Sequence, residues 1–253
     1  MDHFESRLLG RTFDSYGKAS LATYKGGCIF VDHCSGFSAV ETVRAKQAFE
    51  QLAMHHRVVI ESYLTDNGAF KAKMLVNHIR SHEQRLRFCG ANTRHKNGID
   101  ERAVQSVSNM ARALILHASA HWKDGIDASL WPMTVTFATH RYNHQPNAQG
   151  LCQAEVFMGS STVSRHRLKD IHVWGCPVYV LDPYLQAGQK LPRWQPRSRR
   201  GVFIGFGNLH SSEVPLVLNL QTGSITPQYH VARLDDQFST VTPVEREIGP
   251  PDN

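Results

Sequence analysis

The chain has 253 residues, 41% of them hydrophobic, with 28 Lys plus Arg against 22 Asp plus Glu, a net charge of +6 and a pI near 9.2. These totals allow one large domain or two small ones and exclude a chain disordered by composition. No apolar run reaches the roughly 18 residues of a membrane-spanning helix, and the start, "MDHFESRLLG", lacks the basic and apolar regions of a signal peptide.

In chain order, residues 26–42 read as two strands joined by a turn at Ser35-Gly36, since "GGCIFVDH" is apolar and "FSAVETV" alternates. Residues 43–56 have helical spacing, with Val43, Ala45, Phe49, Leu52 and Ala53 on one face. "RVVIESYLTD" (57–66) predicts a strand and "NGAFKAKMLVNHIRSHE" a helix. "RLRFCG" (85–90) predicts a short strand, and "ANTRHKNG" a basic loop. A long helix is predicted over 99–119 and another over 128–142. Strands alternating with helices imply an α/β domain over residues 1–145. Residues 146–171 read as a linker with a short helix at 151–158. Short strand-like runs at 172–181, 200–206, 214–219 and 224–232 form a small β-rich module over 172–240, and 241–253 read as a loose tail.

Five scattered cysteines with no CxxC pair read as reduced thiols of an intracellular protein. The basic balance favours a polyanionic partner. Three acidic positions stand out. Asp32 ends the cleanest apolar run, where a metal ligand would be well held. Asp66 sits in "YLTDNGAF", where a predicted strand meets an Asn-Gly turn, and Glu101 opens the long helix. Strand ends are rigid yet accessible, which suits catalytic groups. Taken singly, Asp-Asn-Gly is an ordinary turn and Glu in a first helical turn ordinary dipole compensation.

Together, "TDNGAF" and "HKNGIDERAVQ" resemble the second half of the Asp-Asp-Glu signature of retroelement integrases, most closely the copia-type group of long-terminal-repeat retrotransposons. "HVWGCPVYVL" and "KLPRWQPRSRRGVFIGFG" resemble the module that follows that core, so the resemblance extends from about residue 2 to 240. It implies a ribonuclease-H-like mixed sheet flanked by helices, with the first catalytic Asp on the first strand. "FVDHCSGF" then matches the second strand, and the first-strand Asp lies upstream, where only Asp2 and Asp14 stand. The resemblance therefore implies Asp2, Asp66 and Glu101 as catalytic and metal-ligating residues, with Asp32 as the alternative ligand or a support of the fold. The chemistry is Mg²⁺- or Mn²⁺-dependent phosphodiester cleavage and strand transfer, with two ions roughly 4 Å apart. His3, His33, Cys28 and Cys34 lack paired zinc-ligand spacing, so no zinc is expected.

The implied partners are DNA, as element ends and target duplex, and further copies of the chain, with action in the nucleus and no membrane. Candidate DNA contacts are Asn67, Arg94, His95, Lys96, Asn97, Arg102 and Arg112, and a second cluster of Lys190, Arg193, Trp194, Arg197, Arg199 and Arg200. Met1 stands one residue before Asp2, and the His-His-Cys-Cys module that precedes related cores is absent. The sequence thus reads as part of a longer polyprotein or of a decayed element, with a truncated first strand, a loosely held Asp2 and weak activity in isolation. The rival readings are a catalytically dead DNA-binding remnant and a ribonuclease-H-like nuclease acting on hybrids.

Overall fold

Apolar, partly β-branched residues in the first forty positions build a meander of three antiparallel strands: β1 (Asp2–Arg11), β2 (Thr23–Val31) and β3 (Ser38–Glu41), in the order β1-β2-β3. The structure is a computed structural model that describes residues 1–12, 22–41, 45–65, 73–89, 98–123, 125–159, 172–207 and 214–233. The close approach of β1 and β2 depends on Gly26, where a Cβ would lie 2.2 Å from the Phe4 carbonyl oxygen.

Helix α1 (Ala45–His55) follows, then β4 (Ser62–Thr65), α2 (Lys73–Ser81) and β5 (Arg85–Phe88). β4 and β5 pair in parallel, which requires a crossover such as the one that contains α2. The Met1 nitrogen donates to the Leu64 carbonyl at 2.7 Å, so the start of β1 lies beside β4. The long α3 (Gly98–His121) and then α4 (Trp131–His144) complete a mixed α/β layer.

The predicted strand at 57–66 is shorter than expected, because its first residues finish α1. Arg57 is left-handed (φ 59°), its N–H bonds to Met54 O and the Val58 N–H to Ala53 O. That is a Schellman motif with arginine in the place usually held by glycine. α2 ends the same way at Glu83 (φ 57°), with Glu83 N bonded to Arg80 O and Gln84 N to Ile79 O. The expected loose start of β1 is also not seen: Met1 is buried, and Asp2 pairs in register with Ile29.

Within the expected linker, α5 (Gln153–Met158) carries a capping box between Cys152 and Glu155 and ends on the left-handed Gly159. It returns to the core: Phe157 stacks on Phe37 with ring centroids 4.3 Å apart. Beyond residue 172 a five-stranded antiparallel sheet forms from β6 (Pro177–Leu181), β7 (Ser198–Phe206), β8 (Pro215–Leu218), β9 (Ile225–Pro227) and β10 (Val231–Arg233). Its order is β10-β6-β7-β8-β9, so the single run predicted at 224–232 supplies both edges.

Helix α4 lies between the two sheets. Met133 and Phe137 join Val178, Val202, Phe203 and Leu218 of the second sheet, while Trp131, Val135 and Ala138 join Ile29, Ala103 and Val107 of the first layer. Large apolar side chains buried this way contribute roughly 1.5–3 kcal/mol each. A helix covered on both sides must satisfy its polar groups internally. Thr134, Thr136 and Thr139 donate to the carbonyls of Leu130, Pro132 and Val135, each four residues back. Asn143 pins β3: its Oδ1 accepts from Ser38 N at 2.8 Å and its Nδ2 donates to Ser38 O at 2.6 Å. β1 also reaches both sheets, since Trp131 Nε1 donates to Leu8 O and the Arg11 guanidinium to Gly223 O in the β8–β9 turn.

Candidate active site

Asp2 opens β1 directly opposite Ile29 of β2. Directly paired residues of an antiparallel ladder share a face. Ile29 packs on Ala103, Val107 and Ala111 of α3, so the half-buried Asp2 stands on the α3 side of the sheet. Its Oδ1 accepts the His3 backbone N–H at 2.8 Å. Glu101 is exposed in the first turn of α3, where the helix dipole favours negative charge.

One atom joins the three segments. The Met1 nitrogen donates to Leu64 O at 2.7 Å and to Asp100 Oδ2 at 3.1 Å. Met1 precedes Asp2, Asp100 precedes Glu101, and Leu64 stands two positions before Asp66. Asp66 itself, with Asn67, Arg94, His95, Lys96 and Asn97, lies outside the described residues, as does Asp14.

Asp100 is the residue that sequence reading missed. Its side chain is 0% exposed, and Oδ1 has no hydrogen-bond partner among the described residues, with His33 Nε2 3.6 Å away. The signal was there in the spacing. Asp100, Ala103, Val107, Ala111 and Ala118 form the buried stripe of α3, so helical periodicity turns Asp100 inward and Glu101 outward.

Asp32 has a different setting. Its Oδ2 accepts from Ser35 N at 2.8 Å and Ser35 Oγ at 2.6 Å, while its backbone bonds to Phe37 O and Gly36 N. These bonds close the β2–β3 turn on itself. Nearby, burial pushes the Glu41 carboxyl up to about 7. Burial also raises the Cys28 thiol, the Met1 ammonium partly offsets this and the Asp2 carboxylate adds to it.

Among the described residues no three His, Cys, Asp or Glu side chains converge as a metal site. The donors that are described are carboxylate oxygens, the hard ligands that Mg²⁺ or Mn²⁺ takes. The buried Asp100 Oδ1 has no hydrogen bond among the described residues, at the position before Glu101 on α3. Asp2 and Glu101 therefore fit a divalent cation in donor chemistry.

The second basic cluster lies on the β6–β7 connection and at the start of β7. Lys190, Arg193, Arg197 and Arg199 are exposed, and Trp194 is 91% exposed. Arg200 turns away, with its guanidinium 4.8 Å from the Trp122 ring centre. Arg102 and Arg112 are exposed on α3. No helix among the described residues is long and apolar enough to cross a membrane.

No protein-family model matches the chain, and no curated protein matches it. Among solved structures, the HTLV-2 integrase catalytic core domain in complex with magnesium, in its trimeric form, is similar at 16% identity and a TM-score of 0.41, over 62% of this chain and 95% of that one. The dimeric form of the same domain gives 17% and 0.40, over 59% and 92%. The catalytic core domain of BIV integrase gives 15% and 0.39, over 57% and 90%.

Proposed function

We propose that the chain is the catalytic core and the following β-rich module of a copia-type retrotransposon integrase, a polynucleotidyl transferase acting on DNA. The observation that carries this reading is that Asp2 opens β1 on the α3 side of the sheet while Glu101 stands in the first turn of α3. The Met1 nitrogen beside Asp2 bonds to Leu64 O and Asp100 Oδ2, which brings the start of β1 next to β4 and to the start of α3.

Asp2, Asp66 and Glu101 would hold two Mg²⁺ or Mn²⁺ ions, which when bound activate the attacking oxygen and stabilise the leaving one. The chain's own residues supply position. β1, paired to β2 and bonded to β4, fixes Asp2. The buried Asp100 sets the first turn of α3 against β1, and so the direction in which Glu101 leaves the helix. The β2–β3 turn closed by Asp32 carries His33 to within 3.6 Å of Asp100. Arg94, His95, Lys96 and Arg102 would neutralise DNA phosphates flanking the scissile bond. In the reaction a new P–O bond forms to water or a DNA 3′-hydroxyl as the bridging ester oxygen leaves. No covalent enzyme intermediate is needed. The proposal includes a core over 1–145, a linker over 146–171, a module over 172–240, self-assembly and action on nuclear DNA.

The test is divalent-metal-dependent nicking and strand transfer on duplexes that carry element ends, with Asp2→Asn, Asp66→Asn, Glu101→Gln and Asp32→Asn compared. The first three should each lose activity by at least roughly 100-fold, and Asp32→Asn by far less. Metal-dependent activity that survives Asp66→Asn and Glu101→Gln would sink the assignment. A chain that binds duplex DNA but never cleaves it would point to a remnant that keeps only binding. Cleavage of RNA–DNA hybrids in preference to end joining would point to a nuclease.

A further inference from the structure

We infer that the β6–β7 connection is a stacking platform for an unpaired nucleotide, so that this region prefers single-stranded over duplex nucleic acid. The inference deepens the nucleic-acid-binding part of the proposed function and does not require the chain to be catalytic.

Three observations carry it. First, the connection is built rather than slack. Asp182 N donates to Arg197 O at 2.9 Å where β6 and β7 separate, Asp182 caps the one-turn helix α6 (Pro183–Gln186), and Gln189 N donates to Tyr184 O at 2.9 Å. Second, the tip is a short turn between two prolines, "PRWQP", closed by Gln195 N on Pro192 O at 3.1 Å. Proline fixes its own φ and restricts the residue before it, so little conformational freedom is lost when a ligand docks there.

Third, the composition points to a ligand. From Pro183 to Gly201 the chain has no Asp or Glu, while Lys190, Arg193, Arg197 and Arg199 are all exposed. At the centre of these cations Trp194 is 91% exposed, whereas Trp131 and Trp174 are buried and Trp122 packs against the second sheet's core. An indole left in water on a held turn gains nothing from the fold. Its flat apolar face, flanked in sequence by exposed cations, matches a base joined to phosphates. In a duplex the faces of the bases are occupied by their neighbours. Only an unstacked base, such as one at a frayed end, can lie on Trp194 while its phosphates meet Arg193 and Arg197.

The experiment uses the full chain and measures binding of a labelled oligothymidylate and of a duplex of equal length, with tryptophan quenching as a second readout. Trp194→Ala should cost the single strand roughly five- to a hundredfold in affinity and the duplex less than about threefold, with Trp194→Phe in between. The Arg193→Ala/Arg197→Ala double variant should weaken both and flatten the salt dependence, by roughly 0.7 in the log–log slope for each single-strand phosphate that is no longer neutralised. Duplex binding with no Trp194 effect on the single strand would overturn the stacking platform and leave the DNA-binding reading standing. Binding of neither probe at low salt would overturn both.

Discussion

Two carboxylates set into the α/β layer, Glu50 and Asp100, are treated in opposite ways. Glu50 on α1 is a saturated hub. Its Oε1 accepts from Lys46 Nζ, from Gln84 Nε2 at 2.8 Å and from the Tyr63 hydroxyl at 3.0 Å, tying α1 to β4 and to the end of α2. Burial alone would raise its carboxyl, but the hydrogen bonds from Lys46 and Gln84, the Lys46 charge and the Tyr63 bond together hold it below the usual range. Asp100 is more deeply buried, yet one of its oxygens has no hydrogen bond among the described residues. A buried polar atom left unsatisfied costs stability, whereas a fully satisfied network specifies one packing. The first region is arranged for the fold, and the second keeps acceptor capacity in reserve beside the candidate site.

The largest expected effect belongs to Glu50→Ala. It strands Lys46, which is almost fully buried, and should lower unfolding stability by about 3 kcal/mol in urea titrations. A loss below about 1 kcal/mol would mean that the hub is decorative.

Next comes the pH response of Glu50 and Glu41, which should run in opposite directions. Glu50 has a lowered pKa, so its contribution is present above the ordinary carboxylate range and fades as pH falls through the folded value. Glu41 is raised to about 7, so the fold is favoured at acid pH and loses stability as pH rises from the ordinary carboxylate range through about 7. Glu41→Gln should therefore raise Tm by about 3–6 °C at pH 8 and by almost nothing at pH 4. Equal gains at both values would show that burial of the charge is not the cause.

Asp100→Asn keeps an oxygen acceptor for the Met1 nitrogen but removes the charge opposite that buried ammonium, and should lower stability by about 1–3 kcal/mol. It should still lower metal-dependent cleavage by roughly 10- to 100-fold through the placement of Glu101. Unchanged cleavage would reduce Asp100 to a packing residue. The smallest effect belongs to the helix ends. Arg57→Gly or Glu83→Gly relieves a left-handed non-glycine residue and should stabilise by about 0.5–1 kcal/mol in the same titration.

Periodicity made much of this architecture readable. Helix α3, the strand pair β2–β3 and the short helix near residue 153 all lie where the sequence pattern puts them. The ends of α1 and α2 were not readable, since each closes a Schellman motif without glycine, and the strand predicted at 57–66 lost its first residues to that cap. In the candidate site, Glu101 was marked by its motif. Asp100 was hidden beside it, although the stripe through Ala103 and Val107 already pointed inward at that position.

By itself the sequence determined where most helices and strands lie, where the acidic signature lies and where basic charge gathers around Trp194. Those properties follow from local spacing and residue chemistry. Only the tertiary structure decided that Asp32 is spent on closing a turn, that Asp100 rather than Glu101 faces β1, and that α4 is covered by both sheets. Each depends on which surfaces meet, and burial and hydrogen-bond partners arise between segments far apart in the chain.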